Sequence, residues 1–355
     1  MSRAQLTSMT ADNVVQETLV GSTGNSIKGG SVAPFVAGKN KIINGDFNIW
    51  QRGTSFSSIS SGTFTADRWF VNFDGSGATR SVSQQTFTPG SAPVAGYESS
   101  YFLRLATTVA GSGQTYSNLA QRIENVQTFA NQTVVVSFWA KANAAISLGT
   151  VFGQNFGSGG SSSVYTVGPS FTLSTSWARY TGYITLPSIS GKTVGTGSYL
   201  ELDLTWPQNS TFTLDVWGVQ LEAGSVATPF TTASGTFQGE LALCQRYYWR
   251  WASTASSLYA YAGTGFCSST TQFKIKLQPP VTMRTPISAS ISNATNMQIQ
   301  TGNISQNVTS ASADQPIPDS VGIIFNVSSG LTTGNGGIAL ANNSSAPYIE
   351  LSAEL

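Results

Sequence analysis

A chain of 355 residues, 40% hydrophobic and only 9% charged, with a net charge of +1 and no histidine, has room for two to three domains at about 100–200 residues each. Phosphate recognition needs clustered Lys and Arg, and imidazole is the commonest general base and metal ligand, so this composition argues against nucleic-acid binding and against most hydrolytic chemistry. Ser, Thr, Asn, Gln and 36 glycines fill the deficit in charge, which suits short strands and turns and predicts an all-β chain.

Residues 1–39 hold no independent core. Thr10 to Val20 fits a short helix or a strand, GSTGNSIKGG follows, and the segment is expected to be an arm that docks on a larger assembly. No charged-then-apolar leader and no apolar run near the roughly 20 residues of a membrane span is present, so neither export nor membrane insertion is expected.

From Lys41 the text turns aromatic and β-branched. Short strands are predicted at Tyr101 to Thr107, Thr133 to Lys141, Ser163 to Val167, Arg179 to Leu186, Tyr199 to Trp206 and Thr211 to Leu221, a spacing typical of a sandwich or jelly roll. In Tyr199 to Trp206 the period of two puts Leu200, Leu202, Leu204 and Trp206 on a core face and Tyr199, Glu201, Asp203 and Thr205 on a wet one. Thr133 to Lys141 is apolar on both faces, which predicts a strand covered on both sides.

Trp217 to Trp251 is the domain junction: an alternating strand, Gly and Pro turns, then an amphipathic helix with Leu241, Cys244, Tyr248 and Trp251 at helical spacing. An apolar face this wide on a short helix must pack against something: either the chain's own two domains, which makes the junction a spacer, or counterparts in a three-fold contact between subunits through Leu241, Cys244 and Tyr248. Beyond it, Leu258 to Phe266, Gln272 to Leu277, Ile287 to Ser292, Met297 to Gly302, Val321 to Val327 and Tyr348 to Leu351 are predicted strands of a second, smaller β domain. The resulting division is an arm over 1–39, a sandwich over 40–232, a linker helix over 233–252 and a C-terminal β domain over 253–355. Cys244 and Cys267, the only cysteines, are expected to be buried thiols.

Two resemblances attach to these residues. VQLEAGSVATPF followed by ELALCQRYY resembles the linker of bacteriophage tail and tail-fibre proteins, and APYIELSAEL resembles fibre termini. NKIINGDFNIWQRG, TADRW, NLAQRIENVQTFANQTVVVSFWAKA and STSWARYTGYITLP together resemble the CenC-type carbohydrate-binding jelly-roll modules of phage tail proteins, over Lys41 to Pro229. The resemblance implies a two-sheet sandwich that binds glycans at a groove or loop edge, often with a structural calcium. It also implies a virion location, other virion proteins as partners through the arm, a host-surface glycan as target, and a homotrimer.

Sugar rings stack on exposed aromatic faces. The residues expected to do so sit where strands break: Tyr97 and Tyr101 around a Glu-Ser-Ser turn, and Phe152, Phe156 and Tyr165 around GQNFGSGGSSS. For calcium, the available aspartates are Asp46, Asp67, Asp74 and Asp215, and no run approaches an EF-hand. Glu201 and Asp203 have the spacing of a glycosidase pair, but alternation already accounts for polar residues there. The expected protein is therefore not an enzyme and carries no cofactor beyond such a calcium. Its rivals are a purely structural capsid-decorating or tail-joint protein and, behind it, a polysaccharide depolymerase.

Overall fold

The computed structural model describes residues 38–94, 98–302 and 304–355. The arm expected over 1–39 lies outside them, apart from its last two residues. The chain divides into two compact units, the first ending at Glu240 and the second running from Leu241 to Leu355, and the fold is all-β, as the composition predicts.

The first unit contains β1 (Ser55–Ser57), β2 (Thr63–Phe64), β3 (Phe70–Phe73), β4 (Thr79–Thr86), β5 (Tyr101–Val109), β6 (Ser117–Glu124), β7 (Thr133–Ala142), β8 (Ile146–Asn155), β9 (Val164–Leu173), β10 (Ala178–Thr185), β11 (Tyr199–Thr205) and β12 (Phe212–Ala223). They form two six-stranded antiparallel sheets, β1-β4-β5-β12-β7-β10 and β2-β3-β6-β11-β8-β9. From β5 to β8, and again from β10 to β12, successive strands switch sheets. That alternation is the winding of a jelly roll.

Period-2 alternation loads the space between the sheets. Val82, Leu103, Leu105, Val134, Val136, Phe138, Leu214 and Val216 face Leu119, Leu148, Phe152, Leu200, Leu202 and Leu204 in one fully buried cluster. Each such side chain contributes about 1.5–3 kcal/mol by leaving water. The outward face of β7 and β12 carries a second cluster, where Trp139 and Trp217 pack with Phe87, Phe102 and Phe230, so β7 is covered on both sides as its sequence predicts. Between Trp217 and Gln220 the β12–β7 register shifts at a bulge. Gly218 sits there at φ +65°, and a Cβ on it would lie 2.8 Å from the Trp139 ring, so the bulge needs glycine.

The GVQLEAG run closes the unit through buried polar side chains. Glu222 accepts hydrogen bonds from the Thr228 backbone N–H at 2.8 Å and its hydroxyl at 2.8 Å, and pairs with Lys39 at 2.9 Å. Gln220 donates to Glu222 and accepts from the Thr231 N–H at 3.0 Å. Asn40 donates to the carbonyls of Val219 and Thr231 and accepts from the N–H of Leu221. The turn after β12 is thereby fixed where Phe230 can cover Trp217, ring to ring at 4.9 Å.

The helix α1 spans only Phe237–Gln245, with the Thr236 hydroxyl accepting from the Gly239 N–H at its start. Tyr248 belongs to a strand, β13 (Tyr248–Ala252), because YYWRW is β-forming aromatic text. Cys244 is 0% and Tyr248 3% exposed within the chain itself, and the Tyr248 hydroxyl donates to Glu350 at 2.6 Å. The expected helical stripe through Leu241, Cys244 and Tyr248 is therefore not formed.

The second unit continues with β14 (Tyr261–Cys267), β15 (Gln272–Leu277), β16 (Ser288–Ser292), β17 (Met297–Thr301), β18 (Ile304–Ile317), β19 (Ser320–Val327), β20 (Gly336–Ala341) and β21 (Tyr348–Ser352). Strands β14-β15-β19-β18-β17-β20 close a barrel, and β13-β21-β16 form a separate sheet. Its core gathers Phe273, Ile275, Met297, Ile299, Ile323 and Phe325 with Ile349 and Leu351. Cys267 is buried there as a free thiol.

Candidate functional site

The site is built on the outward face of the sheet that contains β11. With Leu200, Leu202 and Leu204 turned into the core, Tyr199, Glu201, Asp203 and Thr205 point the other way. The register places Glu124, Arg122, Ala120 and Asn118 beside them on β6, and Asn155, Gly153, Val151 and Gly149 on β8. On β9, Tyr165 stands opposite Gly153 and Val167 opposite Val151, and on β3 Phe70 stands opposite Ala120.

Glycines lower the floor. A Cβ on Gly153 would lie 3.0 Å from the Tyr165 ring and 3.5 Å from Glu201 Cβ, and one on Gly149 would lie 2.7 Å from Thr205 Oγ1. Tyr165 therefore lies across the backbone of β8, and the residue is 65% exposed. Towards the other end of the strands the same face opens into a trough of about 390 Å³, lined by Ser147, Gly149, Val151, Val167, Ser170 and Thr205.

Arg122 organises the charged part. Its Nε donates to Glu201 Oε2 at 2.7 Å, and its guanidinium sits 4.8 Å from the Phe70 ring and 4.7 Å from the Tyr199 ring. The Arg122 carbonyl accepts from Arg68 at 2.6 Å. Asp203 lies one outward position along β11 and is 5% exposed. Its Oδ1 has no hydrogen-bond partner. Burial, and then the neighbouring Glu201 charge, push its carboxyl up to about 8, with Arg122 opposing. Burial likewise pushes the Tyr199 hydroxyl up. The face expected to be wet is thus nearly dry at its centre, since Glu201 is only 9% exposed.

Of the residues expected to stack on sugars, Tyr165 lies on this face. Phe152 and Phe156 are each 1% exposed, and Phe152 packs in the inter-sheet core, so neither ring faces a ligand. The reason is local: β8 extends to Asn155, and its period puts Phe152 inward beside Leu148. Tyr101 starts β5 in the other sheet and borders a separate hollow of about 480 Å³ with Phe87, Pro89, Glu98 and Ser99. Tyr97 lies outside the described residues. Tyr199 and Thr205 stand on the face that the period of two gives them, whereas the pairing of Arg122 with Glu201 is not readable from the sequence, because strand alternation puts residues on a face but leaves cross-strand register open.

The aspartates weighed for calcium do not converge. Asp67 accepts from the Gln51 N–H at 2.9 Å, Asp74 from the Thr115 and Tyr116 N–H groups, and Asp215 from Arg104 at 2.7 and 2.8 Å. Asp46 has an unpartnered Oδ1 and is pushed up to about 6 by burial and then by the Glu240 charge, but Glu240 is already engaged by the N–H groups of Asn44 and Ser234. Among the described residues no group of three or more acidic, thiol or imidazole side chains is placed to hold a metal ion. The donor set does not fit the six to eight oxygens that calcium takes.

No protein-family model matches the chain, and no curated protein sequence does. Among solved structures it is similar to the enzymatically active domain of tailspike protein 4 of bacteriophage CBA120, at 17% identity over 52% of this chain and 22% of that one, with a TM-score of 0.32. It is also similar to the CBM22-1 xylan-binding domain of Paenibacillus barcinonensis Xyn10C, at 14% identity over 54% of this chain and 98% of that one, TM-score 0.31. A third is a putative sugar binding protein of Bacteroides thetaiotaomicron, at 11% identity over 52% and 100%, TM-score 0.34. These likenesses are distant, and the functional reading rests on the chemistry of the site.

Proposed function

We propose that the protein is a phage virion component of the tail or fibre type, docked by its N-terminal arm, that contacts the host surface by binding glycans on the outer face of its first unit. The observation that carries the glycan part is one arrangement: an exposed Tyr165 ring lying over glycine beside a trough whose walls offer Ser147, Ser170 and Thr205 hydroxyls. Apolar ring faces with a few convergent polar groups suit a sugar, which has an apolar face and a rim of hydroxyls. The virion role, the host and the homotrimer rest on the resemblance of the junction and of Lys41 to Pro229. A glycan array probed with the full chain tests the reading. Discrete positives that disappear in Tyr165→Ala are expected, while complete silence returns the protein to a structural role.

One observation favours a second reading. Two neighbouring carboxyls, one of them pushed up by burial, are the set of a glycosidase, and Asp203 beside the Arg122-paired Glu201 offers two such groups. Both stand on one strand, on the same side of any ligand, and Arg122 already engages Glu201, so binding is the better account. Release of oligosaccharide from host polysaccharide, abolished in Glu201→Gln, would establish the depolymerase instead.

A further inference from the structure

We infer that the first unit holds a small monovalent anion, chloride or another halide, between its two sheets, where Arg80, Thr107, Ser117 and Trp206 come together. Nothing in this site depends on the glycan-binding reading.

Strand alternation gathers the four at one end of the sandwich. Arg80 follows the inward register of Val82 on β4, Thr107 that of Leu103 and Leu105 on β5, and Ser117 that of Leu119 on β6. Trp206 follows Leu204 at the end of β11 and belongs to the same core. With two phenylalanine rings they form a closed circuit. Arg80 pairs in register with Thr107, Thr107 with Phe212 on β12, and the Phe212 ring lies 6.0 Å from that of Trp206. The Trp206 backbone N–H donates to the Ser117 carbonyl at 3.3 Å, Ser117 pairs with Phe73 on β3, and the Phe73 ring lies 4.1 Å from the Arg80 guanidinium.

Two large pairs thus cross between the sheets, Arg80 with Phe73 and Trp206 with Phe212. Between them Thr107 and Ser117 face one another across sheets that pack about 10 Å apart. Two side chains so short do not span that distance, and the ion is placed between their hydroxyls.

Five side-chain atoms of the circuit lack hydrogen-bond partners: Arg80 Nε and Nη1, Thr107 Oγ1, Ser117 Oγ and Trp206 Nε1. Buried polar groups are nearly always satisfied, and five unmet atoms in one circuit point to a common cause. The Phe73 face offsets part of the Arg80 charge but takes none of the N–H groups along the guanidinium edge. Among the described residues no carboxylate pairs with Arg80. Asp74, the carboxylate nearest in sequence, is engaged by Thr115 and the Tyr116 N–H. Asn118 has an unpartnered oxygen, but alternation turns it to the outer face of β6.

This set selects an anion over water. Guanidinium and indole N–H groups only donate, and each hydroxyl can turn its hydrogen inward. A water molecule has hydrogens of its own to place, and the circuit offers it only the hydroxyl oxygens. An anion accepts from all four side chains and neutralises the guanidinium. None of the four residues is more than 3% exposed. The loops at this end are tied by Gln114 and Asn209, whose backbone N–H groups each donate to the other's side-chain oxygen. A free ion fits behind that closure, and a charged group carried on a larger molecule does not.

The test is melting of the full chain in sodium gluconate replaced stepwise by sodium bromide at constant ionic strength, with anomalous diffraction from crystals grown in bromide. The melting temperature is expected to rise with bromide and level off, as binding of one ion to the folded chain requires. An anomalous peak is expected within hydrogen-bonding reach of Arg80 Nε and Trp206 Nε1. Arg80→Met should abolish the bromide dependence, and Ser117→Ala and Thr107→Val should each raise the half-saturating concentration about fivefold. If the methionine variant does not fold, the two hydroxyl variants decide alone. Equal melting temperatures of the parent in gluconate and bromide overturn the site. A rise of the same size in Arg80→Met overturns it as a general salt effect. Half-saturation unmoved in both hydroxyl variants, or a bromide peak only elsewhere on the chain, overturns it by placing the ion outside this circuit.

Discussion

The two sheets of the first unit share one core, but their outer faces are built in opposite ways. On the sheet of β7 and β12 the outward positions are Trp139 and Trp217, sealed under Phe87 and Phe230. On the sheet of β8 and β11 they are glycines, Val151, Glu201 and Asp203, with Tyr165 standing 65% exposed. The same alternation generates both faces. One spends its outward residues on a second apolar cluster, and the other leaves a buried carboxyl oxygen unpartnered. Stability and recognition are thus divided between the faces, and substitutions should separate them.

The largest effect is expected from Trp217→Ala. The side chain is fully buried, contacts Trp139 at 5.2 Å and Phe230 at 4.9 Å, and donates to the Ser99 hydroxyl at 2.6 Å. Removing it should cost about 3–5 kcal/mol, read by denaturant unfolding. A loss under about 1 kcal/mol would show that this cluster does not seal the sheet.

Asp203→Asn should act in the other direction. Its carboxyl titrates at about 8 in the folded chain against an ordinary 3.8, so between those values the native state holds a proton that the unfolded chain has released. Stability is therefore greatest at the acid end and falls as pH rises through about 4 to 8. Asp46, pushed up to about 6, adds a slope of the same sign at the lower end, and the variant keeps that part. The Asn variant should be the more stable protein at pH 8, by about 1–3 kcal/mol, and its advantage should shrink towards pH 4. Parallel melting-temperature curves for variant and parent would contradict this.

Tyr165→Ala tests recognition without stability. With its ring exposed, unfolding should move by less than about 0.5 kcal/mol, while affinity for a bound glycan should fall about tenfold, or 1.4 kcal/mol. Equal losses in both would make Tyr165 a packing residue.

Much of this contrast was legible in the sequence, and the rest was hidden for identifiable reasons. Thr133 to Lys141 announced a strand covered on both sides, and Leu200 to Trp206 announced its core face, because period-2 patterning is local. Glu201 beside Arg122 depends on which residue of β6 falls opposite, which no single strand encodes. Strand β8 was missed because GTVFGQN carries two glycines that weaken a strand pattern, and Phe152 and Phe156 were misplaced with it. β18 is a 14-residue strand of mostly exposed Ser, Thr, Asn and Gln, held by pairing with β17 and β19 rather than by an apolar face. The junction failed for a competing propensity: the helical spacing of Cys244 and Tyr248 continued into aromatic text that the fold uses as β13.

The smallest effect, and the sharpest test of the trough, is expected from Gly153→Ala. Its new methyl would start 3.0 Å from the Tyr165 ring, closer than most such contacts, and 3.5 Å from Glu201 Cβ. Tyr165 is exposed and can tilt away by a few tenths of an ångström, so folding should change by less than about 1 kcal/mol. The tilt moves the stacking surface off the floor that the glycine leaves open. Glycan affinity should fall a few-fold, less than in Tyr165→Ala, and Gly153→Ala added to Tyr165→Ala should cause little further loss, since the two share one contact. Fully additive losses in that double-mutant cycle would place the ligand on Gly153 and on Tyr165 separately, and the ring would no longer be the wall of the trough.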